Sequence, residues 1–102
     1  MRIEILHIDD CPNWIEAGNR VKAALAALGR SGDEVAFRRL SSSAEAAEVK
    51  FAGSPTILLD GTDCFPNGER TVNLACRVYP TDEGFAGAPT VAQLIEAMRK
   101  HL

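Results

Sequence analysis

The spacing of apolar residues changes repeatedly along the chain, and each change predicts an element boundary. Residues 2–8 are apolar or β-branched but for Arg2, Glu4 and His7, a composition that suits an interior strand better than an alternating edge. The segment Asp9-Asp10-Cys11-Pro12-Asn13 breaks that run. Apolar residues then recur at Trp14, Ile15, Ala17, Val21, Ala24, Leu25 and Leu28, which is helical periodicity. The pattern predicts a helix over 13–28, with Pro12 tolerated in the first turn, Gly29 as the stop and Gly32 in the turn beyond. Residues 34–40 alternate polar and apolar and read as a strand with one covered face. Strand, helix, strand in that order gives a right-handed parallel crossover. The serines at 41–43 offer N-caps for a short helix over 44–51 that ends before Gly53.

The stretch Gly53-Ser54-Pro55-Thr56-Ile57-Leu58-Leu59-Asp60-Gly61 organises the rest. Proline has no N–H to donate to a sheet, so it is accepted at the first residue of a strand and not in its middle. Pro55 stands at that first position, ahead of a short apolar run that reads as a buried strand, and Asp60-Gly61 is a hairpin signal. Residues 60–73 read as a long polar connection. Over 71–79, Val72, Leu74, Cys76 and Val78 alternate with Asn73, Ala75, Arg77 and Tyr79, which predicts a fourth strand with Cys76 facing the core as a small hydrophobe. Residues 80–89 read as loop. Thr90-Val91-Ala92-Gln93 is a capping box that opens a final amphipathic helix to about His101. The order is βαβαββα: an α/β fold with a four-stranded mixed sheet flanked by helices, in a single domain over 1–102. If the third strand lies antiparallel beside the first, its beginning meets the first strand's end, and Cys11 becomes a neighbour of Pro55.

Composition narrows the function classes. A chain of 102 residues, 46% hydrophobic and 25% charged, can bury a self-sufficient core. A net charge of −3 with dispersed basic residues leaves no electrostatic footprint for nucleic acid or an anionic membrane. No run approaches the roughly 20 apolar residues of a membrane span, and the early charges argue against a signal peptide. The expected location is cytoplasmic. Three cysteines without paired spacing do not read as a secreted disulfide framework, and Cys64 could pair with Cys76 only if their Cα atoms came within about 7 Å. Cys11, Cys64, Cys76, His7 and His101 are too scattered to predict a metal centre.

Cys11-Pro12-Asn13-Trp14 between the first strand and first helix, and Ser54-Pro55-Thr56 before the third strand, give the chain a resemblance to the thioredoxin-like superfamily. In that superfamily a C-x-x-C redox motif occupies the first position and a cis-proline the second. The resemblance implies a cis bond before Pro55. It also implies Cys11 as the reactive thiol, with Pro12, Trp14, Ser54, Pro55 and Thr56 lining the substrate site. Gly53 to Gly61 together with Leu74-Ala75-Cys76-Arg77-Val78-Tyr79 looks like small bacterial thioredoxin-like proteins sometimes labelled alkylmercury lyase-related. The departure is Trp14, which stands where a dithiol oxidoreductase has its second cysteine.

The chemistry at Cys11 is poised between opposing effects. A thiolate at a helix N-terminus gains about 0.3–1 kcal/mol, and up to ~2 when partly buried. A carboxylate at ~6 Å, from Asp9 or Asp10, opposes it by roughly 2–3 kcal/mol at an effective dielectric of ~20. Cys11 therefore reads either as a reactive thiol or as an ordinary one at a helix start. Trp14 reads either as a cap on the core or as the aromatic wall of a shallow groove, which the 81–87 loop would also line. The expected function is a monothiol redox protein with no local partner for Cys11, acting on disulfide-containing proteins or on glutathione mixed disulfides. Glutathione is the co-substrate and no other cofactor is implied. The alternatives are a catalytically silent binding module with the same groove, or capture of a soft metal or organomercurial by the thiols.

Overall fold

In the computed structural model, which describes residues 1–65 and 69–102, a four-stranded mixed sheet is covered by helices on both faces. The strands and helices are β1 (Ile3–His7), α1 (Asn13–Ala27), β2 (Val35–Arg39), α2 (Ser43–Ala47), β3 (Thr56–Leu59), β4 (Thr62–Asp63), β5 (Tyr79–Thr81), β6 (Gly84–Ala86) and α3 (Val91–His101). Sheet order is β2-β1-β3-β4, with β5 and β6 forming a separate two-stranded ribbon. β1 is central, parallel to β2 in the register Ile5↔Phe37 and antiparallel to β3 in the register Ile5↔Ile57. A strand paired on both sides must bury both faces. Its alternate residues accordingly enter two cores: Ile3 and Ile5 pack with α1, α3, Ile57 and Leu59, and Leu6 and Ile8 pack with Leu40, Ala46, Phe51 and Leu58.

The caps follow local chemistry. Ser42 Oγ accepts from the Glu45 N–H at 3.1 Å, and Thr90 and Gln93 make the reciprocal capping box. At the end of α1, Gly29 has φ +69° and the Arg30 N–H returns to the Leu25 carbonyl at 2.8 Å, a left-handed stop that glycine favours. Among the described residues, no helix is long and apolar enough to cross a membrane.

The fourth strand differs from the sequence expectation. Asp60 and Gly61 both have positive φ, 48° and 86°, the combination a type I′ hairpin requires, so the chain reverses at once and Leu59 pairs with Thr62. The tight turn hands the sheet's edge to β4, and residues 71–79 do not join the sheet. They cross instead over the start of β3, attached by a parallel bridge between Ser54 and Cys76 and by the Thr71 N–H, which donates to the Phe51 carbonyl at 2.8 Å. The phase is also reversed: Val72, Leu74, Cys76 and Val78 are exposed, and Arg77 and Tyr79 are buried. The expected long connection over 60–73 is thus replaced at its start by the hairpin and falls partly, at 66–68, outside the described residues. The short helix is trimmed to Ser43–Ala47, and the expected loop at 80–89 contains the β5–β6 ribbon.

Gly53 allows this crossing. Its φ is +104°, and a Cβ there would lie 2.8 Å from the Arg77 Cβ and 3.1 Å from the Arg77 Cα. Gly53→Ala therefore meets both left-handed strain and backbone it cannot displace, and we expect a loss of about 3 kcal/mol in chemical denaturation. Gly32→Ala, with no atom within 4 Å, is the control and should stay within about 0.5 kcal/mol. Equal, small losses at both positions would show that the crossing segment yields.

Candidate functional site

Beyond His7 the chain leaves the sheet, and the Ile8 N–H donates to Ser54 Oγ at 3.0 Å. That bond and the β1–β3 register bring the Asp9-Asp10-Cys11 turn beside the start of β3. Pro12 occupies the N-cap of α1, so Cys11 stands just before the helix. Its sulfur is bonded to Cys76 across a sequence separation of 65, with Cα atoms 5.7 Å apart. Two expectations are corrected here. Cys11 has a local partner, and Cys76 is neither a buried hydrophobe nor the partner of Cys64.

The two halves of the disulfide differ in access. Cys11 is only 2% exposed, while Cys76 lies on the surface with Leu74 (36% exposed) and Val78 (60%) on either side. Cys76 lies on the surface between two residues whose backbones are bonded to Ser54. The Ser54 N–H donates to the Ala75 carbonyl and the Arg77 N–H to the Ser54 carbonyl, both at 2.9 Å. The Arg77 guanidinium, almost wholly buried, donates to Asp63 at 2.8 Å and to the Phe65 carbonyl at 2.6 Å, and lies over the Tyr79 ring. The Tyr79 hydroxyl donates to the Pro55 carbonyl. A large cation is tolerated in such a place only when paired and hydrogen-bonded.

The residues expected to line the substrate site separate into two groups. Pro12 is exposed and Trp14 half-buried. Ser54, Pro55 and Thr56 are buried, and the peptide bond before Pro55 is cis. Ser54's backbone donor and acceptor are taken by the chain's own 75–77 segment, while the Thr56 hydroxyl donates to the Gly53 carbonyl and accepts from the Ala52 N–H. The groove expected beside Pro55 is therefore filled from within the chain. The 81–87 loop does return to this end, where Gly87 sits so close to the Asn13 side chain that a Cβ would displace it. A depression of about 210 Å³ lined by Ile8, Asp9, Asp10, Leu40, Ser41 and Leu74 adjoins the disulfide segment.

Trp14 stacks on His7, centroids 4.0 Å apart, and meets the Phe37 ring edge-on. His7 is 5% exposed, and its Nδ1 has no hydrogen-bond partner among the described residues. Burial pushes its pKa below the usual imidazole value; the Asp9 carboxylate pulls the other way, and Arg39 adds to the depression. Cys64, the free thiol, is pushed up to about 12 by burial and by the neighbouring Asp63, with Arg77 opposing. No thiolate chemistry is open to it near neutral pH. Among the described residues, no three His, Cys, Asp or Glu side chains converge as a metal site would need.

The sequence reading missed Cys76, Arg77, Tyr79 and His7. The signal for the first three was present: a phase with Arg77 and Tyr79 on one side and Val72, Leu74, Cys76 and Val78 on the other fits a surface crossing as well as a strand, because arginine and tyrosine bury their stems and rings readily. No protein-family model, curated protein or solved structure matches the chain.

Two measurements follow. With the disulfide closed, the folded protein should consume alkylating reagent only slowly at pH 8, since the Cys64 thiol is pushed well above its ordinary value. One thiol should appear on unfolding and three on reduction as well; rapid alkylation of the folded protein would show that the Cys64 thiol is not held in its neutral form. His7 has the lower pKa in the folded state, so the unfolded chain binds the extra proton. Stability should fall as pH drops below about 6.5 and level off beneath the folded value. His7→Phe should remove that part of the pH dependence; an unchanged slope in urea titrations between pH 7 and 5 would assign it to other groups.

Proposed function

We propose that this chain is a thioredoxin-like thiol–disulfide exchange protein that works through the Cys11–Cys76 pair. The sheet order β2-β1-β3-β4 with β1 and β2 parallel, and a helix beginning directly after Cys11, support the thioredoxin-like part. The observation that carries the exchange part is the unequal exposure of the two cysteine residues, Cys11 buried and Cys76 on the surface, because access decides which sulfur of a disulfide is attacked.

In the oxidising direction a partner thiolate attacks Cys76 Sγ. A partner–Cys76 disulfide forms, the Sγ–Sγ bond breaks, and Cys11 leaves as a thiolate carrying the bond's electron pair. A second thiol of the partner, after losing its proton to water, attacks the partner's own sulfur and releases the Cys76 thiolate. Both cysteines then take up protons, so two electrons and two protons have passed to the protein. In the reducing direction Cys76 attacks a substrate disulfide and Cys11 resolves the mixed species. The second cysteine of a C-x-x-C motif, whose place Trp14 takes, is not missed, because Cys76 supplies that thiol from another segment. Cys11 stands two residues before the first residue of α1, and a helix N-terminus favours a nearby thiolate by about 0.3–1 kcal/mol. The Asp10 carboxylate next to it offsets this, so the design rests on access more than on an activated thiol.

The bond is also structural. Closing a loop with a sequence separation of 65 removes denatured-state entropy worth about 4 kcal/mol at 25 °C in the chain-entropy treatment, so the reduced form is the less stable one. Function is tested by combining single-cysteine variants with circular dichroism as the check on folding. Cys11→Ser should accumulate a mixed disulfide at Cys76, visible by mass spectrometry. Cys76→Ser should lower disulfide exchange at least about 100-fold, since the buried Cys11 thiol alone is poorly reached. A folded wild-type protein whose disulfide withstands dithiothreitol in the millimolar range would make the bond a staple only, and the fold a binding module.

A further inference from the structure

The surface beside Cys76 carries one carboxylate, Asp10, that no cation offsets among the described residues. Asp9 and Asp10 are both exposed, and both line the depression that ends at Leu74, two residues from Cys76. Asp10 is bonded directly to Cys11, so its Cα lies about 3.8 Å from the Cys11 Cα, which is itself 5.7 Å from that of Cys76. The two arginines nearby are already paired with other carboxylates. Arg39 contacts Asp9 at 3.3 Å and offsets that carboxylate, and Arg77 is turned inward on Asp63. His7, with its lowered pKa, adds no positive charge at neutral pH. Asp10 has no ion-pair partner among the described residues, and the walls beside Cys76 are apolar, formed by Leu74 and Val78.

We infer that the Cys11–Cys76 site selects its partner thiols by charge, favouring a thiol set among positive groups and disfavouring anionic thiols such as glutathione. This rests on the exchange reading and names its substrate class. The attacking thiolate already carries one negative charge toward Asp10. A cationic substituent within a Debye length, about 10 Å at 0.1 M salt, cancels that repulsion, and an anionic one doubles it. The bond changes are those of the exchange itself: the incoming sulfur joins Cys76, and Cys11 departs with the electron pair.

The test compares rates of opening the oxidised full-length protein by cysteamine, 2-mercaptoethanol and 2-mercaptoethanesulfonate, each expressed per thiolate, with glutathione alongside. At 20 mM salt cysteamine should exceed the sulfonate by about fivefold with the neutral thiol between, and at 0.5 M salt the ratio should shrink below about twofold. Glutathione should follow the sulfonate. In Asp10→Asn, and more fully in Asp9→Asn/Asp10→Asn, the low-salt ratio should shrink to the high-salt one, the anionic thiol gaining and the cationic thiol losing. The salt series needs no variant and stands even if a substitution perturbs the turn. Exchange at rates blind to thiol charge and to salt would overturn the selection and leave the exchange reading intact. A disulfide that no thiol opens, dithiothreitol included, would overturn both.

Discussion

Ser54 is the junction on which the site depends. It is fully buried and holds three parts of the chain at once. Its hydroxyl accepts from Ile8, its N–H donates to Ala75 and its carbonyl accepts from Arg77. Each of these groups is taken out of water, and a buried donor or acceptor left without a partner costs about 1–3 kcal/mol. The end of β1, the start of β3 and the 75–77 segment are therefore locked in one arrangement. That arrangement, more than any property of the cysteines themselves, puts Cys76 within bonding distance of Cys11.

The 71–79 segment is polar architecture carried on a side-chain anchor. A sheet strand is held by a ladder of backbone bonds, whereas this segment has one bridge to Ser54 and relies on the Arg77–Asp63 pair, the Arg77 bond to the Phe65 carbonyl and the Tyr79 bond to Pro55. Phe65 packs edge-on against Tyr79 and closes the cluster. With Arg77 turned inward, the adjacent Cys76 falls on the surface side of the segment, since successive side chains of an extended chain point to opposite sides. The surface position of Cys76 thus follows from how Arg77 is satisfied.

On the other face of β1, His7, Trp14 and Phe37 form an aromatic row at the end where the disulfide lies. His7 continues the inward phase of Ile3 and Ile5 and so arrives at the edge of the α1 core, where Trp14 covers it. The stack explains why tryptophan suits the first turn of α1: it shields the last buried position of β1. The acidic turn between them, Asp9-Asp10, stays in water and gives the site its sign of charge.

Local pattern in the chain determined the β1–α1–β2 crossover, the buried run of β3, the capping box of α3, the helix stop at Gly29 and the position of Cys11 before a helix, because each depends on residues within a turn or a strand of one another. The Asp60-Gly61 signal was legible too, but whether it opens a long excursion or an immediate reversal depends on which segment then takes the sheet's edge. The fate of 71–79 was not legible, since alternation marks two faces without saying which is inside. That choice was made by tertiary structure: Asp63 and Phe65 offer Arg77 an anion and a carbonyl at a distance no local rule could foresee, and Ser54 accepts the segment only because Gly53 leaves room for it. The pairing of Cys11 with Cys76 was decided there as well, because two cysteines 65 residues apart meet only when the whole sheet is assembled between them.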